Sequence, residues 1–276
     1  METVVTLWFV TAAEPARIIA AEPKADRGFG RKYLAQLNPA WPITPIGEFP
    51  LNRSAQASAG EYYVAGFPGI TIVQTILTDT PALSEVSPRL LDSVPAAEVY
   101  AFAVNEETGY GGIAHWRGGV LKRSLCAERS RTYEDVGLPV PFESPFWAGE
   151  KAEPIGGISL PFEPVDLVAA AQQAWLGVDV SPEGPDIHVV AYAVDGRPEA
   201  RAVDGPRRQR ERDARREPVS LASGYDDYET PVEEPEVTHW ADRSLAAARR
   251  AGRSAGRRLN SARRWVQEKI RHSDRD

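Results

Sequence analysis

The stretch Glu98–Cys126, EVYAFAVNEETGYGGIAHWRGGVLKRSLC, decides how the rest of the chain is read. Side chains alternate between the two faces of a strand. In Glu98–Asn105 this puts Tyr100, Phe102 and Val104 on one face and Val99, Ala101 and Ala103 on the other. Both faces are apolar, which predicts a strand interior to its sheet and covered on both sides. Tyr110–Trp116 and Leu121–Cys126 read as two further strands of the same meander. Between them, Gly118-Gly119 supplies the positive φ angles of a two-residue hairpin turn. That turn sets Trp116 opposite Leu121, His115 opposite Lys122 and Ile113 opposite Ser124, so His115 is expected to share a face with Lys122 and Ser124.

Working outward, Thr3–Val10, Glu61–Ala65, Ile70–Leu77 and Asp186–Asp195 are further expected strands, the first and last apolar on both faces. Pro15–Ala21 reads as a short helical turn opened by proline. Asp26 is placed to cap a helix carrying Phe29, Tyr33 and Leu37 at four-residue steps, ended by Asn38-Pro39. Ser87 is a candidate cap for a short helix with Leu90 and Leu91. The strongest helix is Glu163–Gly177, with Pro164 at its first position, Gly177 past its end and Val168, Ala171 and Trp175 as an apolar stripe. Asn38–Pro50 reads as a loop with a short extended piece near Ile43–Ile46, and Ala127–Gly137 as a polar connection. Leu138–Glu150 is dense in proline and aromatics, and Ile158–Pro161 is a short extended piece. The fold class that follows is α+β, a mixed, largely antiparallel sheet with flanking helices.

Charge divides the 276 residues in two. Residues 1–196 carry 13 basic and 24 acidic side chains, whereas residues 197–276 carry 19 and 15. Within the second part, residues 201–216 hold seven arginines and residues 218–238 hold six acids and no base. Such segments bury too little apolar area to offset a chain entropy of roughly 1–2 kcal/mol per residue. The expected organisation is a single globular domain over 1–196, a disordered charged linker over 197–237 and a basic amphipathic helix over 238–276. One cysteine, Cys126, excludes an intrachain disulfide and a cysteine-rich zinc site. The apolar run Val4–Val10 has no basic residue before it and is too short for a membrane span. These features, with 27 arginines against 5 lysines, point to a reducing, cytoplasmic bacterial setting, peripheral to a membrane if the basic helix engages one.

Three segments taken together, Arg123-Ser124-Leu125, Gly137–Glu150 (GLPVPFESPFWAGE) and Leu160–Pro164 (LPFEP), carry a resemblance. In that order they resemble an uncharacterised actinobacterial domain-of-unknown-function family, over about residues 3–195. The Pro-Phe-Glu-x-Pro-aromatic-Trp-Ala-Gly-Glu run is the specific part. The resemblance implies domain limits and a soluble bacterial setting, and no activity, cofactor or catalytic residue.

Chemistry is sparse. Glu143 and Glu150 lie seven residues apart, and paired carboxylates perform acid–base work; the competing reading has Phe142, Phe146 and Trp147 plugging the core while both glutamates stay in water. Trp147 and Glu150 are the first choice for a ligand-facing pair, with Glu143 and His115 as further candidates. His115, Cys126 and Asp135 match no nucleophile signature. His188 reads as a structural histidine. Gly109-Tyr110-Gly111-Gly112 lacks the helix N-terminus that a phosphate cradle needs; Arg27-Gly28-Phe29-Gly30-Arg31-Lys32 does enter a helix but lacks the Walker pattern. No metal spacing appears and no cofactor is called. In the C-terminal helix, Arg249, Arg250, Arg253, Arg257, Arg258, Arg263 and Arg264 are candidates to meet an anionic membrane surface, nucleic acid or a protein partner, against a plain solvated helix. The leading functional expectation is a non-catalytic binding or scaffold protein with an associating basic tail. The alternative is a small hydrolase or transferase with its site near Trp147 and Glu150.

Overall fold

The computed structural model describes residues 2–152 and 159–199. The charged linker beyond residue 199, the basic helix and the seven tail arginines named above lie outside them. Nine strands run β1 (Glu2–Val10), β2 (Thr44–Pro50), β3 (Glu61–Phe67), β4 (Ile70–Thr78), β5 (Glu98–Asn105), β6 (Tyr110–Arg117), β7 (Val120–Glu128), β8 (Arg131–Val136) and β9 (His188–Ala193). They form one sheet in the order β2-β9-β3-β4-β1-β5-β6-β7-β8. Every adjacent pairing is antiparallel. The helices are α1 (Pro15–Ala20), α2 (Arg27–Leu37), α3 (Pro88–Leu91), α4 (Ser144–Trp147) and α5 (Pro164–Leu176).

β1 is the middle strand and the only link between two four-stranded wings, pairing with β4 on one side and β5 on the other. Its apolar double face is explained by burial on both sides. On the first face Trp8, Ile72, Tyr100, Phe102, Ile113 and Leu125 meet α5, Phe146 and Phe162. On the second, Val5, Leu7, Phe9, Val99, Ala101 and Tyr192 meet Tyr33, Leu34 and Leu37 of α2 and Leu90 of α3. Asp26 caps α2 as expected, accepting a hydrogen bond from the Gly28 amide at 2.8 Å. Ser87 stands at the start of α3, but its side chain makes no capping bond. Gly177 ends α5 in the left-handed region, at φ 67°.

Three local expectations are corrected. The connection after β7 is itself a strand: β8 pairs with β7 from Ser124 opposite Val136 to Glu128 opposite Arg131. Its polar sequence, RTYEDV, suits an edge strand with one solvated side. The extended piece near Ile43–Ile46 is longer, forming edge strand β2, where Pro45 and Pro50 are tolerated because an edge leaves one side of the backbone unpaired. The third concerns register. Trp116 does face Leu121, but a bulge then places His115 opposite Arg123, Ala114 opposite Ser124 and Ile113 opposite Leu125. Lys122 is the extra residue, so His115 and Arg123 share the α5 face while Ser124 and Cys126 turn to the other.

Two of the glycines that tempted a phosphate reading, Gly111 and Gly30, are packing devices. Gly111 lies in β6, and a Cβ there would fall 2.4 Å from the Pro164 carbonyl group, where α5 begins. Gly30 lies against the Tyr192 ring, whose hydroxyl donates to the Arg27 carbonyl at 2.6 Å. The obstruction at Gly111 is backbone, which cannot swing aside. Gly111→Ala is therefore expected to destabilise the fold by about 1–3 kcal/mol, read as a lowered urea midpoint; an unchanged midpoint would show that α5 is not seated on β6 this closely.

Candidate functional site

The first sheet face is not fully covered. α5 lies over β5 and β6, while the β2–β3 and α5–β9 connections lie over the opposite wing. Between them the middle of the sheet opens into a recess of about 300 Å³. Its floor is a cross-strand row in which Gln74 of β4, Thr6 of β1 and Phe102 of β5 stand opposite one another, flanked by Val4, Trp8 and Val104. Gln74 donates to the Thr6 hydroxyl oxygen at 3.0 Å and accepts from the Ala57 amide at 3.1 Å. One side chain thus fixes the floor to the β2–β3 connection.

The wall opposite α5 is tied by its own side chains. Asn52 donates to the carbonyls of Ser181 and Pro185, at 2.8 and 3.1 Å, and accepts from the Ile187 amide at 3.2 Å. Arg53 donates to the carbonyls of Pro182 and Gly184 and pairs with Asp186 at 2.7 Å. These bonds hold two irregular segments as a single wall, the kind of preformed concavity that small-molecule sites use. Ser54, Gln56, Gln172 and Glu106 also line the recess. Their side chains make no hydrogen bond or ion pair with other described residues, unlike those of Gln74 and Asn52.

The residues singled out from sequence lie elsewhere, in three groups. Glu143 is fully buried rather than solvated. Its carboxylate accepts from Arg123 at 2.8 and 2.7 Å, from the Val140 amide at 3.1 Å and from the Trp147 indole at 3.0 Å. Arg123 is 1% exposed and also reaches Asp135 at 2.5 Å and the Val136 carbonyl at 3.1 Å. Burial opposes the Arg123 charge, but Glu143 and Asp135 outweigh it and hold the guanidinium above its usual value. Trp147 is half-buried, with its ring edge-on to Phe162. Glu150 is exposed in the turn after α4. Neither Trp147 nor Glu150 lines the recess.

His115 stacks on Tyr100 with ring centres 4.8 Å apart and lies 5.5 Å from Trp175 of α5. Its Nε2 hydrogen-bonds Glu98, which also accepts from Arg117 at 2.7 Å. Burial disfavours the Glu98 carboxylate, but the bonds from His115 and Arg117 prevail and hold its carboxyl below the usual value. His188 accepts from the Ala25 amide at 3.1 Å, and burial lowers its pKa. Cys126 is on the other side of the sheet from His115 and Asp135, so these three do not assemble. It sits beside Ser124 and Glu134, which hydrogen-bond each other, and takes the Leu83 amide at 3.4 Å. Burial pushes its thiol up to about 11.

The model of a family of unknown function, DUF6928, matches residues 4–192. The chain belongs to this family. The match runs from β1 through nearly all of β9 and therefore takes in both wings of the sheet and the whole recess. No curated protein and no solved structure matches the chain. Among the described residues no helix is long and apolar enough to cross a membrane, and no group of three or more His, Cys, Asp or Glu is placed to hold a metal ion.

Sequence reasoning missed the recess. A signal was present in β4, ITIVQTILT, where Gln74 interrupts a run buried on both faces. A carboxamide at such a position needs partners.

Two measurements check these assignments. Removing one member of a buried ion pair strands the other, so Glu143→Leu is expected to cost about 3–5 kcal/mol in urea unfolding. Arg123→Met/Glu143→Leu should be less destabilised than the sum of its single variants; additive losses would mean the pair is not coupled. Separately, a buried thiol titrating near 11 should resist iodoacetamide at pH 8 in the native protein and react at once in denaturant. Equal rates in the two states would overturn this placement of Cys126.

Proposed function

We propose that the chain is a non-catalytic binding protein that takes a small molecule into the recess on its α5 face. The observation that carries this reading is the Thr6–Gln74 pair at the centre of the sheet face, among Trp8, Ile72 and Phe102, with Gln172, Ser54 and Gln56 presenting polar atoms that have no partner among the described residues. A packed core avoids polar groups at its centre, because each must be compensated. Here they form the floor and walls of an open cavity whose opposite side is locked by Asn52 and Arg53. Hydroxyls and carboxamides recognise by hydrogen bonding and do not titrate in the physiological range, which suits holding a ligand rather than moving its protons.

The same proposal gives the arginine-rich segment 238–276 an associating role, through the phosphates of an anionic membrane or of nucleic acid, or on a protein partner. It sets the protein in the bacterial cytoplasm, on the strength of the single cysteine and the arginine and alanine bias; an actinobacterial source is what the resemblance over residues 3–195 implies. A scaffold role follows if the recess and the basic segment engage partners together.

The test is equilibrium dialysis of the whole chain against a mixed pool of small metabolites, with bound compounds identified by mass spectrometry. Gln172→Trp, which fills the recess from a half-buried helix position, is the comparison. The wild type should retain at least one compound that Gln172→Trp loses, with both proteins folded by circular dichroism. Identical retention by the two would overturn the reading.

A further inference from the structure

We infer that the ligand of this recess is a neutral polyol of monosaccharide size. The inference rests on the reading of the recess as a binding site and specifies its chemistry. Size comes first: about 300 Å³ is the volume of about ten water molecules at roughly 30 Å³ each. A sugar ring fits that space, whereas a dinucleotide or a long acyl chain does not.

Charge comes next. Among the described residues no Lys, Arg or His side chain lines the recess, and the only ionisable group there is Glu106, in the turn between β5 and β6. A phosphate or carboxylate entering it would lose hydration with no cation to replace the lost water. Arg53 is spent on the carbonyls of Pro182 and Gly184 and on Asp186, so it supplies none.

The polar groups that remain are of one kind. The Thr6 hydroxyl accepts from Gln74 and keeps its own proton to donate; Gln74 keeps one amide hydrogen. Ser54, Gln56 and Gln172 each offer a donor and an acceptor without protein partners. Matching groups that both donate and accept requires a ligand whose groups do the same, and the hydroxyls of a polyol are that chemistry. An apolar ligand would leave these groups dry and unpaired. Phe102 and Val104 contribute an apolar strip beside the polar row, complementary to the C–H face of a sugar ring. Glu106 at the mouth is a two-oxygen acceptor suited to a pair of neighbouring hydroxyls.

The experiment is isothermal titration of the whole chain with glucose, galactose, ribose and myo-inositol, beside glucose 6-phosphate and glutamate as anionic comparators. At least one neutral polyol should bind. Gln172→Leu and Glu106→Gln should each weaken it about tenfold, the loss of one hydrogen-bonding partner. Glu106 lies in an exposed turn, so that variant remains informative even if Gln172→Leu folds poorly. An anionic comparator bound in a Gln172-dependent manner, with no neutral polyol bound, would overturn the ligand class and leave the recess as a binding site. No binding by any compound would overturn the class as well, while the dialysis comparison with Gln172→Trp still decides whether the recess binds at all. Polyol binding unaffected by either variant would place it outside the recess and overturn the inference.

Discussion

The antiparallel pairing of β1 with both β4 and β5 is the constraint on which the rest of this structure depends. Among the described residues the two wings share no other hydrogen-bonded edge, so Val4–Val10 of β1 work in two ladders at once. This explains the composition of TVVTLWFV: Val5, Leu7 and Phe9 lie under the α2 layer, Trp8 and Val10 join the core on the α5 face, and both edges of the strand are paired. It also explains why Thr6 matters. On a strand so placed a hydroxyl is costly unless it is bonded, and it is bonded by the residue directly opposite, Gln74. Thr6 is thus both a polar interruption of the central strand and part of the floor of the recess.

A second polar knot, between Arg123 and Glu143, performs a different task. The segment Leu138–Glu150 has too many prolines to build a long helix, and it is fastened to the sheet by one carboxylate that accepts bonds from a guanidinium, an amide and an indole. The aromatic rings of Phe142, Phe146 and Trp147 then close over α5 and Phe162. Acid–base chemistry is a poor use for Glu143, because all its lone pairs are directed at fixed donors. The recess holds the opposite arrangement, with several polar atoms left without a protein partner.

Much of the architecture was legible because it rests on local pattern. The doubly apolar runs at β1, β5 and β9, the Asp26 cap and the proline-to-glycine span of α5 all follow from residues within a few positions of one another. What could not be read depended on distant partners. The polar sequence of β8 looks like a connection until β7 is there to pair with it. The bulge at Lys122 puts Arg123 on the face where Glu143 waits, and no period in the sequence announces it. Glu143 itself was expected to be the candidate for ligand contact or solvent exposure, since a buried carboxylate is unusual unless its counter-charge is known. The recess is built from six separate segments, β1, β4, β5, α5 and the β2–β3 and α5–β9 connections, and only Gln74 carried a local sign of it.

The position of β9 has a consequence for how such a chain reaches its final form. β2 and β3 follow one another in sequence, yet β9 lies between them and bonds to both. β2 has no partner in the sheet until β9, about 140 residues further along the chain, has formed, and β3 keeps an open edge until then. Closing loops of that length is slow because the entropy is lost before the contacts form. A nascent chain therefore exposes the unpaired edge of β3, with Tyr62, Tyr63 and Val64, until residues near 193 have been synthesised. During that interval the edge is open to any other extended chain.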